Sequence, residues 1–164
     1  SSITYEKISS SFDNSFDMTN MAFFGENLIL DKICEKDICV GDILKIGQAK
    51  VQITQPRQPC WKLSANSLKN SMTKFIFETG LTGFYAKVLK EGQISQNDDV
   101  VLEQRTNPNL TIEKLNQIIV EPKIDINLTK EALACEDLGH QFKNSLTKRY
   151  ELGDEDNQFS FYHT

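Results

Sequence analysis

Thr54-Gln55-Pro56-Arg57-Gln58-Pro59-Cys60-Trp61-Lys62-Leu63 is the stretch from which the rest of the chain is read. It joins an alternating apolar run, Val51-Gln52-Ile53, to a segment that reads as a helix. Two prolines bracket Arg57 and Gln58; each fixes its own φ and moves the preceding residue towards extended conformations. A stiff loop leaving a strand holds a thiol in a fixed direction, so Cys60 is the first candidate for chemistry. Its competing reading is a buried small hydrophobe, which is what most free cysteines are. Three neighbours argue the other way: the rigid prolines, the cations Arg57 and Lys62, and the polar Ser64 and Asn66. A nearby cation favours thiolate over thiol, giving a nucleophile or a soft-metal ligand.

Upstream of the loop, Cys39-Val40-Gly41-Asp42 reads as a turn into the strand Ile43-Leu44-Lys45-Ile46. Gly47-Gln48-Ala49 is a tight connection, and Lys50-Val51-Gln52-Ile53-Thr54 returns as the second strand of a hairpin. Residues 1–22 read as a helix remnant and a loop, with Phe12 and Phe16 at helical spacing. Downstream, Asn66 or Ser67 caps an expected helix through residue 78, with Leu68, Met72, Phe75 and Ile76 on one face and Gly80 as its stop. Residues 84–89 and 99–103 are strand-like, with a turn over 95–98. Short strands with turn signals close together favour a barrel or sandwich over a parallel sheet. After Pro108 the pattern becomes helical, over 111–120, 129–138 (capped by Thr129, ended by Gly139) and 142–152. Residues 154–164 read as an acidic, then aromatic, poorly ordered tail.

The 164 residues suit one domain with a small addition and can bury a core without disulfides. A net charge of −5, mixed in sign along the chain, argues against a general nucleic-acid binder. No apolar run reaches the roughly 20 residues that span a bilayer, and the start lacks the order of a signal peptide. Four cysteines, Cys34, Cys39, Cys60 and Cys135, are too few for a secreted disulfide framework, so a cytoplasmic protein with reduced thiols is expected. A zinc site would need a second ligand pair near Cys34 and Cys39, whereas the two histidines, His140 and His163, lie near the C-terminus. The same distance in sequence weakens a Cys-His nucleophile pair. No Walker-type or GxGxxG phosphate loop is present.

Phe24-Gly25-Glu26-Asn27-Leu28, Cys39-Val40-Gly41-Asp42, Gln55-Pro56-Arg57-Gln58-Pro59-Cys60-Trp61-Lys62-Leu63 and Gly83-Phe84-Tyr85 together resemble a MOSC domain, the C-terminal domain of molybdenum cofactor sulfurases. Order and spacing are most similar to the stand-alone bacterial branch called YiiM-like, over about residues 20 to 105. The resemblance implies a mainly β fold with helices: a MOSC-type β-barrel in residues 1–106, a three-helix region in 107–153 and a tail in 154–164. The family also carries upstream Gly-Asp and His-Gly-Gly elements. The N-terminal part of the barrel, and the half of the site it supplies, is therefore expected to be missing from this chain.

What the resemblance implies chemically is binding of the molybdenum cofactor (molybdopterin), with Cys60 as catalytic residue and metal ligand. Arg57 and Lys62 would hold the cofactor's phosphate or keep the thiolate ionised, Asn27 would hydrogen-bond the pterin, and Gly25 and Glu26 complete that binding turn. Members of the branch are associated with reduction of N-hydroxylated bases and related N-hydroxy compounds. The expected partners are a small-molecule substrate, a separate electron-donor protein and a second copy in a homodimer, with no nucleic acid and no membrane. Pyridoxal phosphate, tied to the family's multidomain sulfurases, is not expected here, since no Schiff-base lysine motif is seen. Two alternatives stay open: a sulfur or cofactor carrier using a Cys60 persulfide, and a non-catalytic binding domain with Cys60 buried.

Overall fold

A computed structural model describes residues 1–12 and 22–152. Phe16 and the tail 154–164 fall outside the described residues. The first helix, α1 (Ser2–Ser11), starts where the Ser1 hydroxyl accepts from the Thr4 amide. Its buried residues Thr4, Tyr5 and Ile8 follow a three-to-four spacing along one face.

The hairpin forms as its alternation requires. β1 (Ile43–Ile46) and β2 (Ala49–Pro56) pair with Leu44 opposite Val51 and Ile46 opposite Ala49. Gly47, at φ +55, makes the two-residue turn. Leu44, Ile46, Ala49 and Ile53 are buried on one face, while Lys45 is exposed on the other. β2 is longer than the sequence pattern suggests and takes in Pro56, which sits opposite Phe84. The Cys60 loop therefore begins at Arg57. β3 (Phe84–Lys90) and β4 (Val100–Gln104) complete an antiparallel sheet in the order β3-β2-β1-β4. The expected parallel-free topology is found, but the described residues make an open sheet with β3 and β4 as free edges, not a closed barrel.

A separate short helix, α2 (Lys62–Ser67), comes first, and the helix expected from a cap at Asn66 or Ser67 through residue 78 starts later, as α3 (Met72–Thr79). Short polar side chains compete with the helix for backbone groups: Ser67 Oγ bonds the Ser64 carbonyl at 3.2 Å, and the Lys69 amide bonds Ser67 Oγ at 3.3 Å. Leu68 takes the left-handed cap position at φ +54 and is 90% exposed, so it does not join Met72 and Ile76 on the buried face. Gly80, at φ +70, ends α3 as expected.

Three further helices follow. α4 (Ile112–Val120) is capped by the Thr111 hydroxyl. α5 (Ile126–Ala134) begins three residues before the expected cap, because Asp125 Oδ1 accepts from the Leu128 amide at 2.9 Å. Thr129 instead lies fully buried inside the helix, its hydroxyl donating to the Pro122 carbonyl. Gly139 does not end α5; it precedes α6 (His140–Leu152), and its amide bonds the Thr54 carbonyl of β2 at 3.0 Å.

Two buried clusters result. The larger joins Leu44, Ile46 and Ile53 of the hairpin to Leu115, Ile118, Phe142 and Leu146 of the last helices. The smaller joins Tyr5 and Ile8 of α1 to Leu63, Met72 and Ile76 of α2 and α3, with Phe23 and Phe24 against it. The Cys60 loop runs between the two.

Candidate functional site

Cys60 is fixed from both sides. The Arg57 amide bonds the Gly83 carbonyl just before β3 at 3.1 Å. The Cys60 carbonyl accepts from the Leu63 amide at 2.9 Å and from Thr73 Oγ1 at 3.0 Å. Thr73 is held in turn by Ser64, through a hydroxyl contact of 2.8 Å and an amide bond of 3.0 Å. This serine-threonine pair clamps α2 to α3 and gives the thiol its direction. Cys60 is half-buried, and its Sγ makes no hydrogen bond among the described residues. The other three cysteines are buried, and burial pushes the Cys34 and Cys39 thiols up.

The Gly25-Glu26-Asn27 turn is built from more distant parts. Gly25 adopts φ +75, a conformation glycine reaches without strain, and its amide closes a turn onto the Ala22 carbonyl at 2.8 Å. The Glu26 carboxylate is engaged by both oxygens: one accepts from the Phe24 amide at 3.0 Å, the other from the Tyr5 hydroxyl. Burial, reinforced by that carboxylate, pushes the Tyr5 hydroxyl well above its usual range. The Arg57 guanidinium donates to the Phe24 carbonyl, so the turn is held by α1 on one side and by the Cys60 loop on the other. Asn27 is exposed, and its amide has no hydrogen bond among the described residues.

A cavity of about 480 Å³ lies between α1, this turn and the apolar face of the sheet. Gly25, Glu26, Asn27 and Arg57 line it, with Pro59 and Leu63 from the signature loop. The structure thus gathers four of the six candidate site residues around one space. Cys60 and Lys62 do not line it, although their chain neighbours Pro59 and Leu63 do. The remainder of the wall is largely apolar, from Leu44, Ile46, Val51 and Val88.

Tyr5 was not legible as a site residue, and neither was Glu35. Glu35 is buried, accepting from the Thr4 hydroxyl at 3.0 and 3.1 Å and from the Gly83 amide at 3.0 Å. It ties α1 to the segment that anchors Arg57. The available signal was the Thr4, Tyr5, Ile8, Phe12 spacing, which marks a buried helix face within a polar start.

Among the described residues no group of three His, Cys, Asp or Glu side chains comes together to hold a metal ion. One free, half-buried sulfur suits instead a metal that arrives with most of its ligands already in place. None of the described helices is long and apolar enough to cross a membrane.

Comparison with known proteins bears on the same residues. The model of the MOSC domain family matches residues 1–101. The uncharacterized protein YflK of Bacillus subtilis (strain 168) is 32% identical over 128 residues, 78% of this chain and 58% of that protein. A protein of Gibberella moniliformis named "Reductase" is 29% identical over 116 residues, 70% of this chain and 21% of its own length. The chain therefore spans less than two thirds of these curated relatives. The crystal structure of YiiM from Geobacillus stearothermophilus superposes with a TM-score of 0.82 at 32% identity, covering 90% of this chain and 74% of that one.

Proposed function

The chain belongs to the MOSC domain family, and from that premise we propose that it is a molybdenum-cofactor-binding reductase that cleaves the N–O bond of N-hydroxylated bases or related N-hydroxy compounds. The observation that carries this reading is the Cys60 thiol: half-buried, without a hydrogen bond among the described residues and held by a doubly anchored loop. A reductase-named relative supports the reaction class. The reading includes cytoplasmic location, a homodimer, a separate protein as electron donor and completion of the sheet into a MOSC-type barrel. The two free edge strands suit such completion.

Bound at this site, the cofactor supplies two-electron chemistry. The protein's own residues do the rest. Cys60 Sγ is the protein ligand to the metal, and the Ser64–Thr73 clamp keeps it from swinging into the core. Arg57 and Glu26 hold the 24–27 turn in place, which leaves the Asn27 amide to contact the pterin. Lys62, exposed beside Cys60, is the cation available for the cofactor's phosphate. The reaction consumes two electrons and two protons, and it releases the amine and water.

Metal and pterin analysis of full-length protein from a cofactor-competent host tests the reading, with about one molybdenum per chain expected. Cys60→Ser is expected to lose most of that metal and the N-hydroxy reductase activity. Unchanged metal content in the variant would overturn the role given to Cys60. The half-buried thiol also suits a sulfur carrier. Mass spectrometry showing one added sulfur at Cys60, without reductase turnover, would select that reading instead.

A further inference from the structure

The loop that holds Cys60 faces α4 across a small polar gap. Gln58 of the loop, Thr82 before β3 and Asn116 of α4 line it, and the buried Ile119 and Phe142 close it from the core. The gap measures about 10 Å³, room for a single water and for nothing larger. The polar groups around it are each one partner short. Gln58 Nε2 is buried and has no hydrogen-bond partner among the described residues. Asn116 is 5% exposed; its Nδ2 donates to the Gly80 carbonyl at 2.8 Å and to Thr82 Oγ1 at 2.9 Å. Its Oδ1 accepts no bond among the described residues. Thr82 Oγ1 donates to the Gly83 carbonyl at 2.8 Å and keeps one lone pair open. A buried donor or acceptor left unpaired costs the protein its full loss of hydration, so each such group calls for a partner. An apolar gap of this size stays dry, whereas one with two to four polar neighbours holds a water that both donates and accepts.

We propose that this gap is a site for one buried water, which accepts from Gln58 Nε2, donates to Asn116 Oδ1 and Thr82 Oγ1, and so seats the Cys60 loop on α4. The loop's entry is already fixed where the Arg57 amide bonds the Gly83 carbonyl, and its exit where Thr73 bonds the Cys60 carbonyl. The water fixes the span between them. Gln58 is thereby a positioning residue for Cys60, acting through the backbone of Pro59. This seat holds the direction of the thiol whether Cys60 binds a metal, carries sulfur or does neither, so it stands or falls apart from the reductase reading.

A high-resolution crystal structure of the full chain tests the site without any substitution. One ordered water is expected among Gln58, Asn116 and Thr82, within about 2.7–3.2 Å of their polar atoms. A gap without a water, or a Gln58 amide bonded directly to a protein group, overturns the proposal. Gln58→Met keeps the length of the side chain and removes its hydrogen bonds, so the variant's crystal structure should show no water there. Cys60 in that variant should react with a thiol reagent under native conditions about fivefold faster, the factor that one lost hydrogen bond allows. Cys34, Cys39 and Cys135 are buried and serve as internal controls whose rates should not change. Equal acceleration of all four thiols means that the substitution loosens the whole fold, and an unchanged Cys60 rate means that the water does not seat the loop. Either result removes the role given to Gln58.

Discussion

Tyr5 illustrates how one residue far away in sequence can set a turn. Its hydroxyl is neutral in the folded protein because burial and the Glu26 carboxylate both disfavour the phenolate. Since the folded pKa lies above the unfolded value of about 10, the stability tied to Tyr5 is complete below that pH and is lost as pH rises beyond it. Tyr5→Phe should cost about 1 kcal/mol at neutral pH, from the missing hydrogen bond. It should also flatten the alkaline limb of a stability-versus-pH curve measured by denaturant titration; an unchanged alkaline limb would show that another group governs it. Cys60 was legible in the sequence because its restraints are covalent neighbours, two prolines within four residues. Tyr5 was not, because its partner Glu26 lies 21 residues away and only the fold brings them together. A separation of 31 residues likewise hid Glu35 behind Thr4.

At the scale of elements, the hairpin was readable because alternation and Gly47 both point to it, whereas the apolar spacing runs on through Leu68, where the backbone turns left-handed, and so places the start of α3 at Asn66 or Ser67, several residues before Met72. What holds the elements in register is less visible. Asp42, fully buried before β1, accepts from Arg105 beyond β4 at 2.9 and 2.7 Å and from the Cys39 amide at 2.8 Å. Its carboxylate also pushes the Arg105 pKa up. Arg105→Met would leave that carboxylate buried without its partner, with an expected loss of about 3–5 kcal/mol in equilibrium unfolding. Gly92 is a steric counterpart. A Cβ there would fall 2.4 Å from the Gln48 carbonyl carbon and 2.7 Å from the Ala49 amide nitrogen. Gly92→Ala must push the β1–β2 turn aside, and slower-forming, less protected amides at Gln48 and Ala49 in hydrogen exchange are the expected sign.

Over the whole molecule, the last three helices are part of the support for the Cys60 loop. Phe142 of α6 is fully buried and shares a narrow gap with Gln58 and Pro59 of the loop and Asn116 and Ile119 of α4. Phe142→Ala should cost about 3–5 kcal/mol. It should also quicken labelling of Cys60 by a thiol reagent under native conditions; a slower or equal rate would mean that the loop stands without α6. Helices are expected close to α4 and α6, packed on themselves or on the β part, and the structure joins them to the hairpin in one core. Periodicity marks a buried face without saying what buries it. The order β3-β2-β1-β4 was equally hidden, since Ile43 and Gln104 meet only after the chain has made both other strands. That order has a material consequence for the chain handled by itself. The two open edges belong to different strands at opposite sides of the sheet, so joining one molecule's β3 to the next molecule's β4 leaves a fresh edge at each step. Such head-to-tail addition does not close and grows filaments. Lys87 and Lys90 on β3 and Glu103 on β4 are of opposite sign, so joining the two edges is helped by charge, and fibre growth, followed by light scattering, should slow as salt is raised and that attraction is screened.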